Sequence, residues 1–212
     1  MKLSYRTVSE YAWVFPGDRV GTPTGKTVLH TARNGCVLMQ VGTDCTLENE
    51  TPVSFRVEGA NGVSVLPHRL ESVCVDRNSA PRGLPRVTDD YESVRSFVTR
   101  KAPFEVYDVL VPVKDTLKPG EVALAFLLKA AADAPVGQQD IVLKLALGGD
   151  ELEIAVELTV HQAAIPPLEK TGFTVCNWIY PNRLADDHGL EAYTDEYYAM
   201  LETYMDHLQQ VR

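Results

Sequence analysis

The sequence contains no apolar run of the roughly 20 residues that a membrane-spanning helix needs. Its N-terminus also lacks the continuous apolar core and the small-residue cleavage site of a signal peptide. Basic residues are few, with 20 Lys and Arg against 29 Asp and Glu, which gives a formal net charge of -9. Such a chain repels phosphate groups. We therefore expect neither nucleic acid nor a membrane surface as a partner.

Cysteine is scarce as well, and its spacing matches no known metal or redox motif. The four residues are Cys36, Cys45, Cys74 and Cys176, and no two of them form a C-x-x-C pair. We interpret them as mostly buried free thiols, which favours a reducing compartment and predicts a cytoplasmic protein. A disulfide between Cys36 and Cys45 is the alternative if the parent protein is secreted.

Motifs for the common catalytic and cofactor sites are missing too. The sequence has no G-x-S-x-G, no phosphate-binding loop and no dinucleotide fingerprint. Asp186-Asp187-His188 offers three possible metal ligands, but consecutive side chains in a loop rarely converge on one ion. The other histidines are scattered without H-E-x-x-H spacing: His30, His68, His161 and His207. We predict neither a metal nor a cofactor.

Strand signals at short, regular spacing fill the chain to about residue 163. Two β-rich runs flank Arg33-Asn34-Gly35, and Asn-Gly is the strongest short-range hairpin signal. A second hairpin is predicted to bend at Gly148-Gly149-Asp150. Apolar residues alternate along its two arms: Ile141, Leu143, Leu145, Leu152, Ile154, Val156 and Leu158. "LAFLLKAAADAP" is assigned as a strand that runs into a loop and pairs with the next strand, and residues 79–94 as a surface loop.

Nine or ten such strands without a convincing helix predict a mainly β fold. We expect a β-sandwich or barrel over residues 1–163, with an immunoglobulin-like β-sandwich as the first choice. The stiff pair Pro166-Pro167 then predicts a linker. The following "FTVCNWI" is nearly continuously apolar, as a parallel strand covered on both faces is.

A polar loop, "YPNRLADDHGLEAY", precedes a helix predicted from about Thr194 to Arg212. Thr194 can act as its N-cap, and the two acidic residues that follow complement the positive end of the helix. One strand followed by one helix is the repeating unit of a (β/α)8 barrel. Residues 164–212 are therefore predicted to form a linker and the first βα unit of a truncated barrel.

The predicted helix carries a wide apolar stripe, which needs a partner surface. The stripe is expected to be a packing interface formed by Tyr197, Leu201, Tyr204, Met205 and Leu208. We expect it to contact the remainder of the same barrel. A homo-oligomer that forms through the exposed helix is the alternative.

The stretch "TGFTVCNWIYPNRLADDHGLEAYTDEYYAMLETYMDHLQQVR" resembles the start of the catalytic barrel in glycoside hydrolase family 123. "RKAPFEVYDVLVPV" is similar to a Pro-x-x-x-x-Asp-x-Leu-x-Pro segment in the β-sandwich of that family, here Asp108, Leu110 and Pro112. "DAPVGQQDIVLKL" is similar to its Pro-x-Gly turn, but Gln138 and Gln139 stand where an aromatic residue is usual. The resemblance implies an N-terminal β-sandwich followed by a (β/α)8 barrel.

The resemblance also implies an activity, the removal of β-linked N-acetylgalactosamine by substrate-assisted hydrolysis. In that family the substrate's acetamido oxygen attacks the anomeric carbon, and an adjacent Asp-Glu pair on a later barrel strand assists it. Asp150-Glu151 and Asp195-Glu196 lie instead in a turn and at a helix start. No catalytic residue is therefore predicted here, and the pair is expected beyond Arg212. The chain is expected to be the non-catalytic N-terminal portion of a glycosidase whose partner is carbohydrate.

The carboxyl end of the predicted barrel strand supplies the candidates for substrate binding: Asn177, Trp178, Tyr180 and His188. Tryptophan faces can stack on sugar rings, and asparagine can form hydrogen bonds with hydroxyl groups. The alternatives are that Trp178 packs in the core and that His188 is a solvated loop residue.

Three aromatic residues near the N-terminus are also of interest. Trp13, with Tyr11 and Phe15, is expected to form either an edge of the sandwich core or a carbohydrate platform. The platform corresponds to a second hypothesis, a stand-alone carbohydrate-binding module. A third hypothesis is a structural or interaction protein without a carbohydrate ligand.

Overall fold

The structure is a computed structural model that describes residues 4–18, 25–79, 87–88, 92, 95–96, 98–167, 170 and 179–211. The chain divides into two compact units, Met1–Ile165 and Pro166–Arg212. The described elements are strands in the first unit and helices in the second. Within the described ranges, no helix is both long and apolar enough to cross a membrane.

Twelve strands lie in the described part of the first unit. They are β1 (Tyr5–Ser9), β2 (Thr27–Arg33), β3 (Cys36–Leu47), β4 (Thr51–Glu58), β5 (Val63–Val75), β6 (Asn78–Ser79), β7 (Val87–Thr88), β8 (Phe104–Pro112), β9 (Thr116–Leu117), β10 (Gly120–Ala130), β11 (Gly137–Leu147) and β12 (Asp150–Ala164). Ten of them form two five-stranded sheets, and β6 pairs with β7 in a short ladder. The prediction of a mainly β fold is confirmed, while its immunoglobulin-like form stays a prediction.

Sheet A has the strand order β1-β3-β10-β5-β8, and sheet B has the order β2-β12-β11-β4-β9. Every pairing in these sheets is antiparallel except that of β2 with β12, which is parallel. Alternate residues of both sheets face one apolar core, as the two-residue period of a strand requires. Its largest buried side chains include Phe126 and Leu124 of β10 and Ile154 and Leu158 of β12.

The hairpin predicted at residues 148–150 is confirmed. Its turn consists of Gly148 and Gly149, with Leu147 opposite Asp150 across the ladder. Both glycines have positive φ, 59° and 91°, which two-residue hairpin turns require. All of the alternating apolar residues predicted on its two arms are buried.

The hairpin predicted at Arg33-Asn34-Gly35 is wrong. The two flanking strands, β2 and β3, belong to different sheets, so the turn is a corner between sheets. Asn34 does have the left-handed φ of 57° that the turn signal implies. Its backbone N–H donates to the Ala131 carbonyl at 3.2 Å, and its side-chain amide donates to the Ile165 carbonyl at 2.8 Å. These long-range contacts hold a turn that local sequence alone would close into a hairpin.

"LAFLLKAAADAP" does form a strand, the latter part of β10, that runs into a loop. Its predicted pairing with the next strand is wrong, because β10 pairs with β3 and β5 while β11 lies in sheet B. In the predicted loop 79–94, Ser79 pairs with Val87 in the short ladder. Most of the remaining loop lies outside the described residues.

The cysteines are free thiols within the described part of the chain, but they are not mostly buried. Cys36 and Cys74 are exposed, and Cys45 is half-buried. The alternative disulfide is wrong because Cys36 and Cys45 stand nine residues apart on β3, about 30 Å along an extended strand. A disulfide requires Cα atoms within about 7 Å. Cys176 lies outside the described residues.

Two helices form the described part of the second unit, α1 (Pro181–Asp187) and α2 (Asp195–Val211). The loop predicted before α2 is partly wrong because it contains α1. Proline is favourable at the first position of a helix, where its missing N–H has no partner to lose, and α1 begins at Pro181. The start of α2 is as predicted, and the Thr194 hydroxyl accepts the Tyr197 N–H at 3.3 Å. Most of the predicted barrel strand, residues 173–178 of 173–179, lies outside the described residues.

The apolar stripe of α2 contacts α1 within the same unit. Tyr197 and Met200 are buried together with Ala185 of α1, and Leu201 and Tyr204 pack around them. Leu208 is half-buried, and Met205 is 38% exposed. Part of the stripe predicted as a packing interface is therefore already covered by the second unit itself.

Candidate functional site

Two of the four residues predicted to bind substrate, Asn177 and Trp178, lie outside the described residues. The other two are placed at opposite ends of α1. Tyr180 precedes the helix and is 71% exposed. His188 follows it, and its Nε2 lies 2.9 Å from the hydroxyl of Tyr204. This hydrogen bond joins the end of α1 to α2 and gives His188 a structural contact.

A pocket of about 540 Å³ lies beside Tyr180, and we call it the tyrosine pocket. Its lining residues are Tyr180, Pro181, Asn182, Arg183, Tyr193 and Tyr197. Tyr180 and Tyr193 expose most of their surface, whereas Tyr197 is buried. His188 is not among the lining residues, so the structure does not join it with Tyr180 in one site.

Contacts among the lining residues order the tyrosine pocket. The Tyr197 hydroxyl donates to Oδ1 of Asn182 at 3.2 Å. This hydrogen bond does not use the side-chain N–H groups of Asn182. The rings of Tyr193 and Tyr197 lie 5.5 Å apart between centroids. Burial, followed by the neighbouring Tyr193 and Tyr198, raises the pKa of Tyr197. Its hydroxyl therefore stays protonated as a donor at neutral pH.

Tyr193 has an unusual backbone conformation, with φ at +68°. A bulky residue in the left-handed region costs roughly 1–2 kcal/mol, and such residues cluster at ligand sites. The strained backbone holds the exposed ring beside the pocket. The sequence contained no signal for this placement.

A second cleft, of about 330 Å³, lies on the outer face of sheet A, opposite the core, and we call it the sheet A cleft. Its lining residues are Glu10, Tyr11, Ala12, Trp13, Leu38, Gln40, Leu70, Tyr107, Asp108 and Leu110. Phe15 packs against Phe104, with their ring centroids 5.9 Å apart, and the guanidinium of Arg100 lies over the Phe15 ring. Tyr11 and Trp13, by contrast, are exposed and do not belong to the core.

The N-terminal segment that forms one wall of this cleft is fixed by hydrogen bonds. The buried Gln40 side chain donates to the carbonyls of Ser9 and Ala12, at 3.0 and 2.9 Å. Farther along, the Tyr107 N–H donates to the Val14 carbonyl at 3.1 Å. The segment between these anchors carries Trp13 at a defined position.

The carboxylate of Glu121 links the far end of the segment to sheet A. Its Oε2 accepts the Gly17 N–H at 2.9 Å and the Tyr107 hydroxyl at 3.2 Å. Burial, followed by the charge and hydrogen bond of Glu121, raises the pKa of Tyr107 to about 12. The hydroxyl is therefore a donor across the physiological pH range.

This raised pKa predicts a specific loss of stability in alkali. The folded chain holds the Tyr107 proton more tightly than the unfolded chain, so the contribution is complete below pH 10 and is lost as pH rises towards about 12. Urea unfolding across that range should give a steeper decline for the wild type than for Tyr107→Phe. Tyr198→Phe, which removes the hydroxyl of an exposed tyrosine, is the control and should decline like the wild type. Equal slopes for wild type and Tyr107→Phe would contradict the assignment.

The histidines described as scattered include one close pair. His30 on β2 and His161 on β12 stack with centroids 5.3 Å apart, and Nδ1 of His30 lies 3.3 Å from Nε2 of His161. Parallel pairing of β2 with β12 brings them together, and residues 131 positions apart carry no local signal of contact. In the part of the chain that the structure describes, no three metal-ligating side chains form a cluster.

Of the two Asp-Glu neighbours, Asp195-Glu196 lies at a helix start as predicted, whereas Asp150-Glu151 lies on a strand and not in the turn predicted for it. Asp150 and Glu151 open β12 directly after its hairpin turn. Asp195 and Glu196 form the first turn of α2, where negative charge complements the helix dipole. Neither pair lines the tyrosine pocket.

No family model matches this chain, and no curated protein sequence matches it. Its structure is similar to a family 123 glycoside hydrolase from Clostridium perfringens, known from a structural analysis of glycolipid glycan hydrolysis. The TM-score is 0.70 at 10% identity, and the match covers 99% of this chain but only 36% of that hydrolase. The likeness is one of fold.

Two further solved structures have weaker likeness. The C-terminal domain of the AgI/II polypeptide BspA from Streptococcus agalactiae has a TM-score of 0.32 at 10% identity, covering 75% of this chain and 50% of that one. A type I cohesin from Pseudobacteroides cellulosolvens has a TM-score of 0.23 at 8% identity, covering 81% and 99%. These scores are too low to indicate a shared fold.

Proposed function

We propose that this chain is a non-catalytic portion of a glycoside hydrolase that acts on N-acetyl-β-hexosaminide glycans of the N-acetylgalactosamine type. The supporting observation is the fold likeness to a family 123 glycoside hydrolase over 99% of this chain, which corresponds to 36% of that enzyme. In this proposal the β-sandwich supports a catalytic barrel. The second unit contributes a sugar-binding surface to it.

The tyrosine pocket supplies the chemistry for holding a sugar. The faces of Tyr180 and Tyr193 carry the negative part of the aromatic quadrupole, which attracts the weakly positive C–H groups on the flat side of a pyranose ring. Both rings are exposed, at 71% and 69%, so a ligand can reach them. Beside them, Asn182 and Arg183 offer N–H donors for hydroxyl groups or an acetamido carbonyl.

The same lining explains why we assign binding and not catalysis to this pocket. The six lining residues that the structure describes include no carboxylate and no histidine. Glycoside hydrolysis requires a general acid that protonates the leaving oxygen, and substrate-assisted hydrolysis also requires a group that orients the acetamide. The described lining can position a sugar, but it offers neither a carboxylic acid nor an imidazole for that proton transfer. The catalytic carboxylates of the proposed enzyme would come from elsewhere in the longer protein.

The proposal is tested by binding and turnover measurements on the 212-residue chain. N-acetylgalactosamine should bind weakly in saturation-transfer NMR, and an aryl N-acetyl-β-galactosaminide should not be hydrolysed. Tyr180→Ala or Tyr193→Ala should weaken binding about tenfold, the order expected for losing one aromatic contact. Tyr198→Ala is the matched control, since Tyr198 is 55% exposed on α2 but does not line the pocket.

Tyr193→Gly separates loss of the ring from loss of the fold. Glycine accepts φ of +68° without strain, so this variant should stay folded while losing affinity. Hydrolysis of the aryl glycoside by the chain would contradict the non-catalytic assignment. Equal affinity in Tyr193→Gly and wild type would contradict the assignment of the pocket.

A further inference from the structure

We propose that the sheet A cleft is a second carbohydrate-binding site, which takes a neutral pyranose unit of a glycan by stacking it on Trp13 and Tyr11. This site lies in the first unit, on the outer face of the β-sandwich. It is separate from the tyrosine pocket and does not depend on the proposed glycosidase activity.

The first argument is the exposure of two aromatic rings on a segment that is held in place. Trp13 is 57% exposed and Tyr11 is 89% exposed. Disordered ends of chains often expose such rings, but this segment is anchored on both sides by Gln40 and Tyr107. The hydrogen bond and charge of the neighbouring Glu10 raise the pKa of the Tyr11 hydroxyl. Large apolar surfaces that are fixed and exposed mark ligand or partner sites.

The second argument is the shape of the cleft. Its floor is the outer face of sheet A, where Leu38 and Leu70 lie on strands that flank β10. Between them β10 presents the small side chains of Ala123 and Ala125, both buried in a cluster with Leu38 and Leu70. These two alanines are buried, and the apolar part of the cleft lining includes Leu38 and Leu70. The exposed rings then form a wall above an apolar floor, which suits the flat apolar side of a pyranose ring.

The third argument is the polar chemistry at the rim. Glu10 and Asp108 are the two carboxylates of the lining. Glu10 already accepts the Leu38 N–H at 3.0 Å. Asp108 is exposed and has no ion pair or hydrogen bond to any residue in the described ranges. Carboxylates accept hydrogen bonds from sugar hydroxyls and repel uronates, sulfates and phosphates.

The size and charge of the cleft favour a sugar over other ligands that use aromatic stacking. The volume of the cleft, about 330 Å³, lies at the lower end of the range for small-molecule pockets. A stable protein interface buries about 800 Å² of surface per partner, which calls for a broader contact surface than one small cleft. Nucleobases also stack on aromatic rings, but their phosphates would meet two carboxylates on a chain with a net charge of -9. A neutral saccharide can stack on the exposed aromatic rings, donate hydrogen bonds to the two carboxylates and fit the volume of the cleft.

The test uses the fluorescence of Trp13. The chain has two tryptophans, so Trp178→Phe leaves Trp13 as the reporting indole. Triacetylchitotriose and cellotriose are the neutral probes, and trigalacturonate is the anionic one. We expect a saturable change in emission with at least one neutral probe at millimolar concentration, and none with trigalacturonate. Asp108→Asn should allow trigalacturonate to bind.

Calorimetric titration of the same neutral probe then assigns the contacts. Trp13→Ala should weaken binding at least tenfold, and Tyr11→Ala should weaken it by a smaller factor. Trp13→Phe should retain part of the affinity because it keeps an aromatic ring. Circular dichroism verifies the fold of each variant, and Trp13→Phe carries the test if Trp13→Ala unfolds. Tyr198→Ala, the exposed aromatic of the other unit, should bind like the wild type.

Three outcomes would overturn the proposal. They are the absence of a saturable response to either neutral probe, binding of trigalacturonate as tightly as the neutral probe while Glu10 and Asp108 are both present, and full affinity for the neutral probe in Trp13→Ala. Tyr180→Ala and Tyr193→Ala should leave this binding unchanged. Failure of the sheet A cleft is therefore distinguishable from failure of the tyrosine pocket and of the glycosidase proposal.

Discussion

Phe126→Ala should lower the free energy of unfolding of the first unit by about 3–5 kcal/mol, the range for removing a buried aromatic side chain. Phe126 lies in the middle of β10, is 2% exposed and faces the core shared by both sheets. Its ring meets that of Phe55 on the opposite sheet at 5.7 Å in an edge-to-face arrangement. Alanine would leave a cavity between the sheets and remove this aromatic contact.

Urea unfolding followed by circular dichroism measures the loss. Phe126→Leu is the first control, because it refills most of the volume and should cost less than half as much. Val136→Ala is the second, since Val136 is 55% exposed and its truncation should change stability by about 0.5 kcal/mol or less. A loss under about 1 kcal/mol in Phe126→Ala would mean that the two sheets do not share this core.

Gly59→Ala should be nearly as damaging, with a loss of at least about 3 kcal/mol, although it adds a single carbon atom. Gly59 follows β4 and has φ of +77°, which disfavours any residue with a Cβ atom. An added Cβ would also overlap the carbonyl oxygen of Asp140 on β11. Because that oxygen belongs to the backbone, β4 and β11 would have to separate at this end of their ladder.

Gly17→Ala is the matched control. Gly17 has nearly the same φ, +75°, but nothing lies within 4 Å of its added Cβ. It should therefore lose only the roughly 1 kcal/mol that the left-handed conformation costs. Thermal unfolding of the two variants in parallel gives the comparison. Equal losses would mean that the backbone conformation alone, and not the contact with Asp140, fixes Gly59 as glycine.

Local pattern was sufficient to predict the elements in which neighbouring residues decide the structure. The hairpin of β11 and β12 follows from two alternating arms around Gly148-Gly149. The start of α2 follows from a capping threonine at residue 194. In both, the partners that stabilise the element lie within a few residues along the chain.

The predictions from sequence were wrong where contacts between residues far apart in the chain determine the structure. Asn34 has the left-handed backbone that its turn signal implies, yet the strands beside it pair with β12 and β10 and not with each other. The apolar pattern of a strand indicates that it has a buried face, but it does not say which strand lies next to it. α1 was missed for a related reason, because a seven-residue helix is stabilised mainly by the packing of Ala185 against α2.

The candidate sites were predictable only as residue types. Tyr180 was predicted to bind substrate, and Tyr11 and Trp13 were predicted to form either an edge of the core or a carbohydrate platform. Their exposure depends on tertiary contacts, such as the hydrogen bonds from Gln40 that anchor the segment carrying Tyr11 and Trp13. The left-handed backbone of Tyr193 and the cleft floor that includes Leu38 and Leu70 required the folded chain.

The parallel pairing of β2 with β12 has a consequence for folding during synthesis. β12 lies between β2 and β11 in sheet B. The first strand of this sheet to be synthesised, β2, therefore pairs with the last one, β12. Until about residue 164 has been translated, β2 has no neighbour in its sheet and its edge stays open. Contacts this distant along the chain form slowly because a long loop must close first. The nascent β-sandwich therefore stays vulnerable to mispairing until its final strand closes it.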